Sequence, residues 1–402
     1  MSTHRDASGV YSIETANKPL VFRVAPESLA LPALAAPAGQ QAIKVEVRSL
    51  PGMQKEAIVS ALAPQAGVWR IVCDEGPYLN GTDLAPFPLA FYTAGLQFSL
   101  IFRVLAAAKS QNVALNSLQL SLDNYYTMKG SFIKGDATGG AKPAEALIRI
   151  ESGADEGALR GVVQNAVQCC PGQSLMRDVL DNVFSLHVNG QAVPVSGIGA
   201  SGNLDDPDPQ ATTFAEFSAE PDGAYLDDII TKTGTAKTAH DVEGGISSSL
   251  KPVQNRTLHV NGQAQSLGGT RAHTDIQLRS PIGSNFRLIS EEPDGAGANL
   301  APSGLAYLSA GVGFCYMTQL SRYAHIAKLD IDSIRIVQHT RFGADGRALP
   351  VDTHVFVETA ESPETINNLI AVGERTCFLH AAMRGSYPIR VQVEFNGKAL
   401  AL

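Results

Sequence analysis

The chain has 402 residues, of which 44% are hydrophobic and 17% charged, and a formal net charge of −8. Its length suffices for two or three domains that each bury a core, and its hydrophobic content excludes wholesale disorder. The acidic balance excludes a phosphate-binding surface spread over the protein, so no nucleic-acid partner is expected.

Met1-Ser2-Thr3-His4-Arg5-Asp6 leads into no apolar run of the kind that marks a secretory signal. Residues 1–42 read as an irregular arm. Five cysteines are too few for a disulfide scaffold, so reduced thiols and a cytoplasmic setting are the expectation.

Residues 43–195 parse by period and punctuation. Ile43 to Arg48, Glu56 to Ala61 and Trp69 to Cys73 alternate as three strands. Leu89 to Ala108 follows as a long apolar run. It has about the length of a membrane span, but it holds Gln97 and Arg103, which favours a buried helix and no membrane. Ser117 to Leu122 and Ala146 to Ile150 read as a hairpin, Ala154 to Cys170 as an amphipathic helix, and Pro171 as the start of a shorter one. Val183 to Val188 is a last strand, ending on the turn signal Asn189-Gly190.

Residues 196–255, rich in Asp, Gly, Ser, Thr and Pro, read as a linker or an extended wrap. Within them Gly197-Ile198-Gly199-Ala200-Ser201-Gly202 matches the dinucleotide fingerprint. Asn203 to Pro209 cannot supply the helix such a site needs.

Residues 256–402 repeat the first parse in order. Thr257 to Val260, Thr274 to Leu278 and Phe286 to Ile289 are strands, followed by the run Leu305 to Ala327. Asp330 to Thr340 and Val351 to Thr359 form a hairpin, Ser362-Pro363-Glu364 starts a helix leading to Cys377, and Ile389 to Phe395 closes the unit. The two copies share Leu84-Ala85-Pro86 and Leu300-Ala301-Pro302, then Ala94-Gly95 and Ala310-Gly311. Four residues past each glycine stands Ser99 in one copy and Cys315 in the other.

The nine histidines show no His-x-x-x-His spacing and no Cys-x-x-Cys occurs, so no metal site and no cofactor are expected. No Gly-x-Ser-x-Gly elbow points to a hydrolase. The cysteines fall at matching places. Cys315 lies on the long helix and Cys377 at a helix junction, while the first copy has Ser99 and Cys169-Cys170 there. A thiol at a helix junction has free N–H groups to lower its pKa, so Cys315 and Cys377 form either a redox pair or small core residues.

A strand, an acidic glycine-bearing loop, a Pro, a long helix carrying Cys, a hairpin and a second helix ending in Cys together resemble the OsmC/Ohr family of thiol-dependent hydroperoxide reductases. The resemblance implies an α+β fold of two OsmC-like repeats forming an intramolecular pseudo-dimer, with long central helices packed against antiparallel sheets. It implies further that Cys315 attacks the peroxide and Cys377 resolves the product, with Ser99 and Cys170 a degenerate equivalent site. The Glu that follows the Pro in that family is Ser303 here and Phe87 in the first copy. For the Arg that stabilises the thiolate, Arg48 and Arg271 are the nearest candidates. From Pro302 to Cys315 the chain is about two residues longer than in that family, roughly 200° of helix, so either a longer loop absorbs the difference or Gly313 turns to the catalytic face. The implied partners are a hydroperoxide and a dithiol reductant. The alternative is a non-catalytic protein of the same fold, holding a small apolar ligand or serving a structural role.

Overall fold

The computed structural model describes residues 11–29, 40–61, 67–235, 254–292 and 299–402, without the side chains of 254–256. Parts of the expected arm, the linker and the second glycine-bearing loop lie outside the described residues.

In chain order the elements are α1 (Ile13–Ala16), β1 (Val21–Arg23), β2 (Gln41–Ser49), β3 (Lys55–Ala61), β4 (Val68–Cys73), α2 (Pro88–Ser110), β5 (Ser117–Gly130) and β6 (Thr138–Glu151). There follow α3 (Glu156–Gln168), α4 (Pro171–Arg177), β7 (Asn182–Val188), β8 (Gln191–Val193), β9 (Gly199–Ala200) and β10 (Ile230–Gly234). The second half runs β11 (Gln254–Ser266), β12 (Arg271–Ser280), β13 (Asn285–Glu291), α5 (Gly304–Ala327), β14 (Ile331–Phe342), β15 (Val351–Thr359), α6 (Pro363–Thr376), α7 (Phe378–Arg384), β16 (Arg390–Phe395) and β17 (Lys398–Leu400).

The helix boundaries follow from capping chemistry. Ser303 and Ser362 accept backbone N–H bonds from Ala306 and Thr365 at the starts of α5 and α6. Pro88, Pro171 and Pro363 occupy first-turn positions, where a missing N–H costs nothing. Helices α2 and α5 are apolar on nearly every side because they are buried on nearly every side. Helix α2 is long and apolar enough to cross a membrane, yet 83% of its most apolar window is buried inside the protein.

Two sheets enclose these helices, and each is built from both halves of the chain. The first runs β1-β4-β3-β2-β14-β15-β7-β8, and the second β10-β13-β12-β11-β5-β6-β16-β17. In each, a three-stranded meander from one half pairs with the hairpin of the other, followed by a parallel strand from the meander's own half. The fold is therefore α+β with intramolecular pseudo-twofold exchange. Helix α5 packs on β2, β3 and β14, α2 packs on β5, β11 and β12, and the two helices lie back to back between the sheets.

Their crossing is tight enough to need glycine. A β-carbon on Gly95 would come within 2.6 Å of Leu308 Cα, and one on Gly311 within 2.7 Å of the Tyr92 backbone nitrogen.

The outer faces of the two sheets differ. The second sheet alternates in the ordinary way, with Asp123, His259, Asp275 and Arg287 half-buried or exposed. The first carries Lys44, Glu46, Arg48, Glu56 and Arg70 on that face, and all are buried. The cover comes from residues 11–25 and 201–220. Glu56 bridges Arg48 at 2.5 Å and Arg70 at 2.9 Å, and accepts from Tyr11 Oη at 2.8 Å. Phe214 stacks 4.6 Å from the Arg48 guanidinium, Thr213 donates to Glu46, and Asp208 holds Arg335 at 2.6 Å. Beyond Gly199–Ala200 residues 201–209 form no helix, as Asn203 to Pro209 lead one to expect. The linker's polar and proline-rich composition suits an extended wrap over a charged sheet face.

Candidate active site

Cys315 stands in the middle of α5, with Gly313 turned away from it toward Val47 on β2. Cys377 interrupts α6 and α7. Its backbone is extended, its N–H caps α6 on Gly373 O, and its carbonyl receives the first bond of α7, from Ala381 N–H. The two sulfurs share a hydrogen bond at 3.4 Å, and the residues are 2% and 0% exposed. Both thiols are free.

The start of α7 leaves backbone N–H groups directed at the pair, Leu379 toward Cys315 and His380 toward Cys377. His380, one turn past Cys377, is fully buried among aromatic rings. Its ring centre lies 4.9 Å from that of Tyr316 and 5.6 Å from that of Phe184. Its side chain faces Cys377, and Tyr92 Oη and Tyr126 Oη have no hydrogen-bond partner among the described residues. Both tyrosines are close enough to feel charge on Cys315, and burial first of all raises their pKa values.

The two thiols are driven apart electrostatically. Burial raises Cys315 well above the usual thiol value, and its neighbours Cys377 and Glu75 raise it further. Burial would raise Cys377 as well, but its hydrogen bond with Cys315, together with the His380 side chain and backbone N–H, outweighs that cost and pulls it well below the usual value. The two thiols are thus shifted in opposite directions, Cys315 up and Cys377 down.

Near Cys315 the fixed charge is Glu75, from the acidic loop of the other half. Its carboxylate accepts from Thr318 Oγ1 at 2.6 Å and from Tyr78 Oη at 3.1 Å, and lies 3.5 Å from Lys55 Nζ. Arg48 is not brought to the sulfurs. It points to the opposite face of the first sheet, tied to Glu56, whereas Val47 beside it faces α5. Arg271 is exposed at the first residue of β12, in the other sheet.

The other cleft has the same geometry with oxygen in place of one sulfur. Ser99 Oγ, on α2, lies 3.2 Å from Cys170 Sγ and accepts from Gly172 N–H at 3.1 Å. Cys170 caps α4 as Cys377 caps α7, and burial raises its pKa. Cys169 ends α3 and is partly exposed.

His380, Glu75, Tyr92 and Tyr126 were not among the residues expected at the site. His380 is signalled only by standing three residues past a helix-capping Cys. Glu75 belongs to the acidic loop, but its approach to Cys315 depends on strand exchange between halves.

A search of the curated proteins gave no match. Among solved structures, an OsmC-like hydroperoxide resistance protein from Jannaschia sp. CCS1 is similar over 36% of this chain and 96% of its own, at 19% identity and a TM-score of 0.23. Residues 296–392, which carry α5, the β14–β15 hairpin, Cys315 and Cys377, match the family described as OsmC-like protein. The second half of the chain thus contains an OsmC-like domain.

Proposed function

We propose that the chain is a tandem OsmC-type thiol peroxidase whose single working centre is the Cys315–Cys377 pair. The observation that carries this proposal is the 3.4 Å contact between two free sulfurs at the start of α7, whose backbone N–H groups face them. The Cys377 thiolate attacks the distal oxygen of a hydroperoxide and the O–O bond breaks. The alkoxide takes a proton and leaves as alcohol, and Cys377 becomes a sulfenic acid. Cys315 then displaces water from that sulfur to form a disulfide, and a dithiol reductant returns both thiols. The unpartnered hydroxyls of Tyr92 and Tyr126 are donors for the peroxide oxygens. The attacking and resolving roles are exchanged relative to those implied by resemblance, because His380 stands by Cys377 while Glu75 stands by Cys315.

Near-complete burial of both sulfurs favours the second reading, a non-catalytic protein of this fold with its cysteines as packing. One equivalent of cumene hydroperoxide followed by mass spectrometry separates the two. A Cys315–Cys377 crosslink is expected in the parent, and a dimedone-trapped sulfenic acid on Cys377 in Cys315→Ser. Thiols left unmodified in both proteins would establish the packing role.

A further inference from the structure

The covered face of the first sheet holds a second cluster with its own chemistry, remote in the fold from the thiol pair. His339 on β14 pairs directly with Asp352 on β15, and His354 lies two residues further along the same face of β15. Asp206 arrives from the wrap above them. Its Oδ2 lies 2.7 Å from His339 Nε2 and 3.4 Å from His354 Nε2. One ligand atom each from Asp206, His339 and His354 fall within 4.8 Å of one another. Ligands of a tetrahedral zinc, about 2.0–2.2 Å from the ion, sit roughly 3.3 Å apart, so these side chains need only small rotations to close on one.

Two further observations point to a cation. Asp352, 1% exposed, brings Oδ2 to 3.5 Å from His354 Nε2, where it also accepts from Asn203 Nδ2 at 2.5 Å, while its Oδ1 has no hydrogen-bond partner among the described residues. An unpartnered buried carboxylate oxygen is costly unless a cation or donor meets it. His354 Nδ1 is already engaged, 2.8 Å from Ser185 Oγ and 3.5 Å from Asp205 Oδ1, which leaves Nε2 directed at the carboxylates, as a metal-bound imidazole requires. The competing cations stand at the rim. Lys44 is 3.8 Å from Asp206 but 3.0 Å from Glu46, and Arg341 is 3.9 Å from Asp352.

We propose that Asp206, His339 and His354 hold a zinc ion that fastens the 201–220 wrap onto the first sheet, with the Asp352 carboxylate beside His354. A set of two imidazoles and one carboxylate suits zinc among abundant divalent ions, with a water completing four-coordination. The histidines escape motif search because they are far apart in sequence and meet only across a strand pair.

The test titrates the purified full chain, stripped with chelator, with Zn(II) and with Co(II). Expected are one equivalent bound, slower proteolysis within residues 201–220, and a four-coordinate cobalt spectrum without thiolate charge transfer. Affinity should fall about tenfold or more in both His339→Gln and Asp206→Asn, two partly exposed positions where the fold tolerates exchange. Undiminished binding in those variants, thiolate charge transfer in the cobalt spectrum, or no binding by the parent would overturn the proposal.

Discussion

Ser99 Oγ lies 3.2 Å from Cys170 Sγ, in the relation that Cys315 bears to Cys377 across the pseudo-twofold. One atom separates a potential redox pair from an inert contact, since an alcohol without a base is not nucleophilic at neutral pH. Ser99→Cys should therefore give the first cleft a disulfide with Cys170 under peroxide. Counted by thiol titration, loss should rise from two thiols per chain to four. Because burial raises Cys170 and no histidine equivalent to His380 follows it, the second bond should form more slowly than the first. An unchanged count would show that the contact does not permit bond formation.

The helix crossing yields a prediction about stability. A β-carbon on Gly95 would approach Leu308 N to 2.5 Å, and backbone atoms cannot rotate aside as a side chain can. Gly95→Ala should force α2 and α5 apart and destabilise the protein by about 3 kcal/mol, the upper end for overpacking. Gly135→Ala makes a useful contrast. That glycine has open space around it, so the added methyl meets only the strain of its positive φ. Urea denaturation of the two variants should rank them in that order.

Much of this architecture was legible because it is local. Alternation located strands, the apolar run from Leu305 located α5, and the Ser-Pro start signal located α6, each helix start to within a residue or two. The Ala-Gly pairs shared by both copies marked the crossing without revealing its cause. Exchange between the halves came only from the resemblance to an intertwined pseudo-dimer, because an isolated strand carries no record of which hairpin it will join. Exchange laid β2 against α5, yet Arg48 did not reach the thiols. Its neighbour Val47 took the inward position, and alternation sent the guanidinium to the outer face with Glu56. It also brought Glu75 of the first half to Cys315 of the second. The Asp-rich composition of residues 203–209 read as linker, and only the fold shows that its carboxylates meet His339, His354 and Arg335.

The Glu56 triad predicts the acid limb of stability. Burial works against the Glu56 carboxylate, but Arg70 and Arg48 prevail and hold its pKa below the usual value. A depressed folded-state pKa adds stability that is present above the ordinary carboxylate range and lost as pH falls through the depressed value. Glu56→Ala, which strands two buried guanidinium groups, should cost about 3–5 kcal/mol at pH 7. Glu56→Gln should cost less and flatten the decline between pH 5 and pH 3. Chemical denaturation at several pH values measures both effects, and an acid limb as steep in Glu56→Gln as in the parent would assign that limb to other carboxylates.

Glu292 predicts the opposite slope. It sits at the end of β13, and burial lifts its pKa from 4.5 to about 7 against the weaker pull of Arg103 on α2. A carboxyl that resists ionisation in the folded state favours folding while it is protonated in both states. It loses that advantage as pH rises from the unfolded value toward 7, because only the unfolded chain then releases its proton freely. Some exposure of the residue tempers the magnitude but not the sign. Glu292→Gln should match the parent at pH 4 and exceed it in Tm at pH 8. A variant less stable than the parent at pH 8 would mean that the Arg103 attraction outweighs desolvation, and that Glu292 is ionised in the folded protein at neutral pH.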